Sequence, residues 1–425
     1  MTQPDISPSF PELVRTFARI GCLSFGGPAG QIALMHREVV EERGWVDEGA
    51  YLRALNLCHL LPGPEAQQLA TWIGWRLHGL KGGLAAGLLF ILPGALVMLL
   101  LSIFYVALSG ASWFDPLFLG IKAAVLAIVA QAVARIAGRA LGTQFKTGLA
   151  IASFLALAAL SVPFPLVILA AGLAGALVGV IRPELLGAHA VDGSEPSPPA
   201  RSLIAGTAAT VLLWLAIWAL PMVLIAMTLG TDHVLWQVGA FFSKLAVATF
   251  GGAYAVLAWM AQASVEQFGW LTAGEMADGL GLAETTPGPL ILVTQHVGFL
   301  AALRDPGVLN PLIAGLLGAL VTTWVTFAPC FLWIFAFAPW MAALERIAAL
   351  QAALAAITAA VVGVIANLAA WFAMHVVFQD GDLLRFDWRA GLVAAFAAWL
   401  LFRLRRSVPE VLGACALAGL LLGQV

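Results

Sequence analysis

Two short stretches near the N-terminus have the residue types for anion chemistry: Ser24-Phe25-Gly26-Gly27-Pro28 and Pro62-Gly63-Pro64. Proline breaks a helix from inside but suits the first turn of the next one. A chain that stops one helix at Ser24 and restarts at Pro28 therefore creates a fresh helix N-terminus. Such an end carries free N–H groups and about half a positive charge, and it binds phosphate- or sulfate-like oxyanions without a cationic side chain. Glycine lets the backbone approach the ligand closely, and Ser24 adds a hydroxyl.

The same pair is written again 225 positions later, as Thr249-Phe250-Gly251-Gly252 and Pro287-Gly288-Pro289, with Gly44-Trp45 recurring as Gly269-Trp270. Residues 17–64 laid over 242–289 without a gap are identical at sixteen of forty-eight positions, which marks an internal duplication. Thr285 and Thr286 add hydroxyls at the second Pro-Gly-Pro. The bland reading, that glycine and proline merely kink helices, suits one break better than a duplicated pair.

Charges recur with the breaks. Arg19 aligns with Lys244, each five residues before its Ser or Thr, inside an apolar helix where a charge is costly and functional by default. Snorkelling to the interface is the competing account. His59 aligns with Glu284, and Glu65 follows the first Pro-Gly-Pro. These three are candidates to carry a coupling proton, against a hydrogen-bonded structural role. Gln67, Gln68 and Asn56 line a cavity or bridge helices, and Arg37, Glu38, Glu41, Glu42 and Arg43 read as a solvated or interfacial face. Trp45 and Trp270 read as headgroup-level anchors. The four cysteines are scattered, so buried small residues are expected rather than disulfides, and no metal site or cofactor is expected.

These residues need a membrane scaffold. Hydrophobic residues make up 61% of the chain and charged ones 10%, against about 25% charged in soluble domains. Runs such as 84–108, 203–229 and 346–376 exceed the roughly 20 residues that cross a bilayer. The opening residues lack the pattern of a secretory signal peptide. The fold class is all-α integral membrane, with the lipid bilayer as partner and no nucleic acid. Four pieces of each copy (11–24, 28–43, 48–61 and 64–78, then 235–249, 252–268, 272–286 and 288–303) are individually too short to span. At 1.5 Å per residue those of the first copy reach about 21–24 Å of a ~30 Å core, so they read as re-entrant hairpins in preference to broken spans. Ordinary spans are expected at 84–108, 116–141, 147–160 and 164–181, then at 309–341, 346–376, 388–402 and 408–424. Asp47 caps the helix from 48. Domain boundaries follow: a first repeat at 1–185, a hydrophilic linker at 186–202, an extra span at 203–229, and a second repeat at 230–425.

Sidedness follows from the basic residues. Arg76, Lys81, Arg135, Arg139, Lys146, Arg182, Arg201, Arg346, Arg403, Arg405 and Arg406 fall on one side, and Arg304, Arg385 and Arg389 on the other. The richer side is cytoplasmic. That puts the N-terminus in the cytoplasm and the C-terminus in the periplasm of a bacterial inner membrane. The extra span turns the second copy over. Inverted repeats with broken or re-entrant helices meeting near the midplane are a secondary-transporter architecture.

With Gln31, the ordered motifs Ser24-Phe25-Gly26-Gly27-Pro28, Gly44-Trp45 and Pro62-Gly63-Pro64, and their counterparts in the second half, resemble the chromate ion transporter family in its long form with two fused halves. The second copy departs from it with Ala253 in place of Pro28. The resemblance implies export of chromate, with sulfate as the look-alike anion; the residues alone reach a carrier of a small oxyanion. The expected binding set is Ser24, Phe25, Gly26, Gly27, Gln31 and Gly63 with Thr249, Gly251, Gly252, Thr285, Thr286 and Gly288, and with Arg19 and Lys244 supplying charge. A sulfate or other oxyanion carrier stays open, as does a homodimer. The rival of another class is a membrane phosphatase of the undecaprenyl-diphosphate type. It would need clustered acids and an Arg at the break, where Glu65 stands without an acidic partner in its own motif.

Overall fold

The computed structural model describes residues 8–186, 200–250, 253–344, 346–378 and 384–423, so that Gly251, Gly252 and most of the expected linker lie outside the described residues. The described chain is all-helical, with a single isolated β-bridge between Phe378 and Phe386. Six of its helices are long and apolar enough to cross a membrane. It divides into two compact units, each drawing on both halves of the duplicated sequence. The first lies within Met1–Leu99, Ala190–Ala253 and Thr286–Ile347, the second within Leu100–His189, Tyr254–Thr285 and Ala348–Val425.

In the first copy α1 (Phe10–Leu23) and α2 (Gly27–His36) are separated by the Ser24–Gly26 break, and α2 runs into a π-helical turn, Arg37–Glu41. The Asp47 carboxylate caps α3 (Glu48–Leu60) by accepting the Ala50 amide at 2.8 Å. α4 (Glu65–Leu108) follows, interrupted at His78 and Gly79. The two arms of α4 turn back on one another so closely that a Cβ on Gly74 would lie 2.2 Å from the Gly82 carbonyl oxygen. Small residues at such crossings let helix backbones approach where no hydrophobic effect drives association. Along the second arm Leu88, Leu92, Leu96, Leu100 and Phe104 are exposed at four-residue spacing, an apolar stripe suited to lipid.

α5 (Phe114–Ala140), α6 (Gln144–Ala158) and α7 (Phe164–Ile181) complete the first copy, and α8 (Ala200–Thr228) is the extra apolar helix. The second copy repeats the order with α9 (Val234–Val247), α10 (Ala253–Gln262) and its own π-helical turn, Ala263–Gln267. It continues with α11 (Ala273–Thr285), a 3-10 turn (Leu290–Leu292), α12 (Val293–Arg304), α13 (Pro311–Phe337), the short α14 (Met341–Leu344) and α15 (Ala348–Val376). α16 (Trp388–Ala398) and α17 (Val408–Leu422) end it. Packing in the second unit is reciprocal. α15 lies against α6 and α7 of the first copy, and α5 lies against α16 and α17 of the second.

The copies also match in backbone detail. The Trp45 amide donates to the Val39 carbonyl at 2.8 Å, and the Trp270 amide to the Ser264 carbonyl at 2.8 Å, 225 positions apart at both ends. These bonds fold the tryptophans back over the π-helical turns. Trp45 and Trp270 are consequently buried within the protein, which corrects their expected role as headgroup anchors. Glu38 is likewise not on a solvated face. It is fully buried and paired to Arg43 at 2.6 Å, because the widened π turn directs it inward.

Candidate functional site

The breaks expected to bind an anion meet within the first unit, and they meet reciprocally. Pro62-Gly63-Pro64 and Pro287-Gly288-Pro289 each contain one N–H, the glycine's, because proline has none. The Gly63 amide donates to the Thr249 carbonyl at 2.8 Å, and the Gly288 amide donates to the Ser24 carbonyl at 2.9 Å. Each Pro-Gly-Pro loop of one copy thus satisfies the last carbonyl before the break of the other, a group that a helix C-terminus leaves orphaned. Both glycines hold left-handed φ, +124° at Gly63 and +85° at Gly288. That conformation is where side chains other than glycine are disfavoured.

One side chain reinforces this clasp. Gln31, buried on α2, donates from Nε2 to the Gly288 carbonyl at 2.6 Å and to the Ser24 carbonyl at 3.3 Å. Its counterpart in the second copy is Val256, so the bridge is one-sided. Gln68 donates from Nε2 to the Pro62 carbonyl at 2.7 Å and holds the first loop from below. Its Oε1, and that of Gln67, are buried without a hydrogen-bond partner among the described residues. Asn56 is exposed.

Three of the hydroxyls expected as donors are turned elsewhere. Ser24 Oγ donates to the Ile20 carbonyl at 2.6 Å and Thr249 Oγ1 to the Leu245 carbonyl at 2.7 Å, each one turn back along its own helix. Thr285 Oγ1 does the same towards Leu282 at 2.7 Å, while Thr286 is buried.

The helix N-termini differ in what they offer. α2 begins at Gly26 and Gly27, with φ of +86° and +70°, no side-chain cap, and open space where a Cβ would stand at either glycine. Phe25 is exposed beside them. α4 begins at Glu65, whose own carboxylate sits at the positive end of the helix, 3.1 Å from Nδ1 of His59. The turn leading into α12 is apolar and buried. Of these three N-termini at the breaks, that of α2 is the one with neither a carboxylate of its own nor a buried apolar turn leading into it.

The aligned cations are treated unequally. Arg19, more than half exposed, lies 3.7 Å from Glu38, the carboxylate already paired with Arg43 at 2.6 Å, on the flank of α1. Lys244 is exposed on α9. Glu284 belongs to the second unit, where it is buried and accepts the Tyr254 hydroxyl at 2.8 Å. His59 and Glu284, aligned in sequence, thus have different partners. The sequence reading passed over Tyr254 and also over buried Asp278. The one available signal was an acid on α11 opposite Arg53 in the alignment.

This geometry defines an all-α membrane protein whose two homologous halves tie their irregular backbone together inside one helical unit. The chain belongs to the chromate transporter family, which matches it twice, over residues 11–176 and 236–420. It is 32% identical over 418 residues to the chromate transport protein of Pseudomonas aeruginosa, covering 93% of both chains. It is 29% identical to that of Cupriavidus metallidurans, over 96% of this chain and 92% of the other. To a probable chromate transport protein of Synechococcus elongatus it is 28% identical, over 97% of this chain and 95% of the other. These relatives are named as transporters, not enzymes. No solved structure matches the chain.

Proposed function

We propose that the protein exports chromate across the bacterial inner membrane, and that the oxyanion binds where the breaks of the two inverted copies meet. The observation that carries this reading is the reciprocal clasp, Gly63 to Thr249 and Gly288 to Ser24, beside the uncapped N-terminus of α2. Gly63 and Gly288 present amides suited to an oxyanion but spend them on carbonyls. The clasp is therefore a closed, self-satisfied arrangement that the anion opens by exchange. Two backbone bonds and the two bonds of the Gln31 bridge, at roughly 0.5–1.5 kcal/mol net each, are lost. Hydrogen bonds to a charged acceptor, at roughly 1.5–3 kcal/mol each, replace them. The freed Ser24 and Thr249 carbonyls must find new partners as well, so only a ligand that carries charge competes with the clasp, which separates oxyanions from neutral solutes.

The reciprocal packing of α5 and α15 and the extra helix α8 support an inverted relation between the copies. An N-terminus in the cytoplasm and a C-terminus in the periplasm follow from the placement of basic residues. Chromate flux in proteoliposomes, with pH gradient and potential imposed separately, tests the function. Flux that excess sulfate abolishes while sulfate itself is carried faster would make this a sulfate carrier. Absence of flux for both anions would sink the reading.

A further inference from the structure

The second unit holds a buried carboxylate that the oxyanion site does not use. α11 is enclosed on all sides from Met276 to Glu284, as an apolar helix would be. Yet it carries Asp278, which is 2% exposed. Asp278 Oδ2 accepts the Tyr105 hydroxyl at 2.8 Å, whereas Oδ1 accepts no hydrogen bond among the described residues. Nζ of Lys122, on α5, lies 3.6 Å from that oxygen. The charged and titratable groups acting on Asp278 are Lys122 from α5, Tyr105 from α4 and Glu275 one turn back on α11 itself.

A purely structural ion pair does not account for this arrangement. Burying a carboxylate against a cation, here a partly exposed one, is favourable only with close geometry and with the remaining lone pairs satisfied. Here the approach is loose and one carboxylate oxygen is left over. The helix does not require an acid at this position either, since the first copy has Arg53 there. An enclosed acid with a spare acceptor and an adjustable cation is suited to gaining and losing a proton.

We propose that Asp278 is a proton-binding site that is loaded when the oxyanion binds. This rests on the transport reading above. Deprotonated, Asp278 and Lys122 sum to zero charge; protonated, the pair carries +1. A positive increment and a doubly charged anion in the same protein favour each other's binding, and by linkage the effect is mutual. α11 carries the change along the chain. Glu284 lies six residues further on, about 9 Å of helix rise, immediately before Thr285-Thr286-Pro287.

The test is proton uptake by the full-length protein, purified in detergent and weakly buffered, on addition of chromate. The wild type takes up protons as chromate binds, Asp278→Asn loses that uptake, and Asp278→Glu restores it. Lys122→Gln removes the countercharge, so the carboxyl holds its proton to higher pH and the uptake profile moves to the alkaline side. That second variant decides the matter if Asp278→Asn fails to fold, and an unmoved profile overturns the proposal. So does full uptake in Asp278→Asn, or chromate binding by the wild type with no uptake. A wild type that binds no chromate instead fails the transport reading on which the proposal rests.

Discussion

The amide of Gly288 donates to the carbonyl of Ser24 at 2.9 Å, across 264 positions of sequence. The homologous pair, Gly63 and Thr249, makes the same bond at 2.8 Å in the opposite sense. A duplicated chain whose copies satisfy each other's broken helix ends is held closed by a few weak bonds at its centre. That arrangement makes individual residues testable.

Gly63 and Gly27 separate the clasp from the open helix end. A Cβ at Gly63 would meet Cys330 Sγ and Gln68 Nε2, both at 2.9 Å, at a φ of +124°. Gly63→Leu should therefore lower thermal stability in detergent as well as chromate resistance in cells. Gly27 has open space, and its φ of +70° costs a substituted residue about 1–2 kcal/mol. Gly27→Leu should abolish resistance by covering the α2 end while the protein still reaches the membrane. Full resistance in Gly27→Leu at normal expression would make the break structural only.

Gln31→Val installs the residue found in the second copy and removes the bridge. The buried Gly288 carbonyl loses its Gln31 donor, at a cost of roughly 1–3 kcal/mol if left unsatisfied, while the Ser24 carbonyl keeps the Gly288 amide. The clasp should open more readily, seen as faster amide exchange at Gly288 by mass spectrometry, with transport reduced. Unchanged exchange would show that the backbone bonds hold without Gln31.

Lys244 and Arg19 align in sequence but should differ in effect. Arg19 is engaged by Glu38, so Arg19→Gln should shift thermal stability with little change in chromate affinity. Lys244 is exposed on the helix that leads to Thr249, so Lys244→Gln should weaken binding. The comparison is read by titrating chromate into purified protein. Equal loss in both variants would return Arg19 to the binding site.

The turns at Leu80 and Val308 test the inversion. Both residues are exposed, and each stands in or next to the turn that follows its copy's broken helices. In a background lacking Cys22, Cys58, Cys330 and Cys415, cysteine at Leu80 should label from the cytoplasm and at Val308 from the periplasm. Labelling of both from one face removes the inverted relation.

The sequence by itself determined the helical membrane class, the duplication, and most helix limits. Residues 164–181 were expected as a span and are α7 as observed, because a long apolar run bounded by proline and arginine needs no partner to declare itself. The breaks were legible for the same local reason, since glycine and proline act on their own backbone. Side-chain partners were decided only by tertiary structure. Glu38 and Arg43 looked solvated in a charged run, and the π-helical turn brings Glu38 inward against Arg19 and Arg43. Ser24 and Thr249 looked like free hydroxyl donors, but their protons go to carbonyls one turn back. The clasp lay furthest beyond reach. Its bonds join residues 186 and 264 positions apart, and which carbonyl a lone glycine amide meets depends on how the helices pack, not on the motif that contains it.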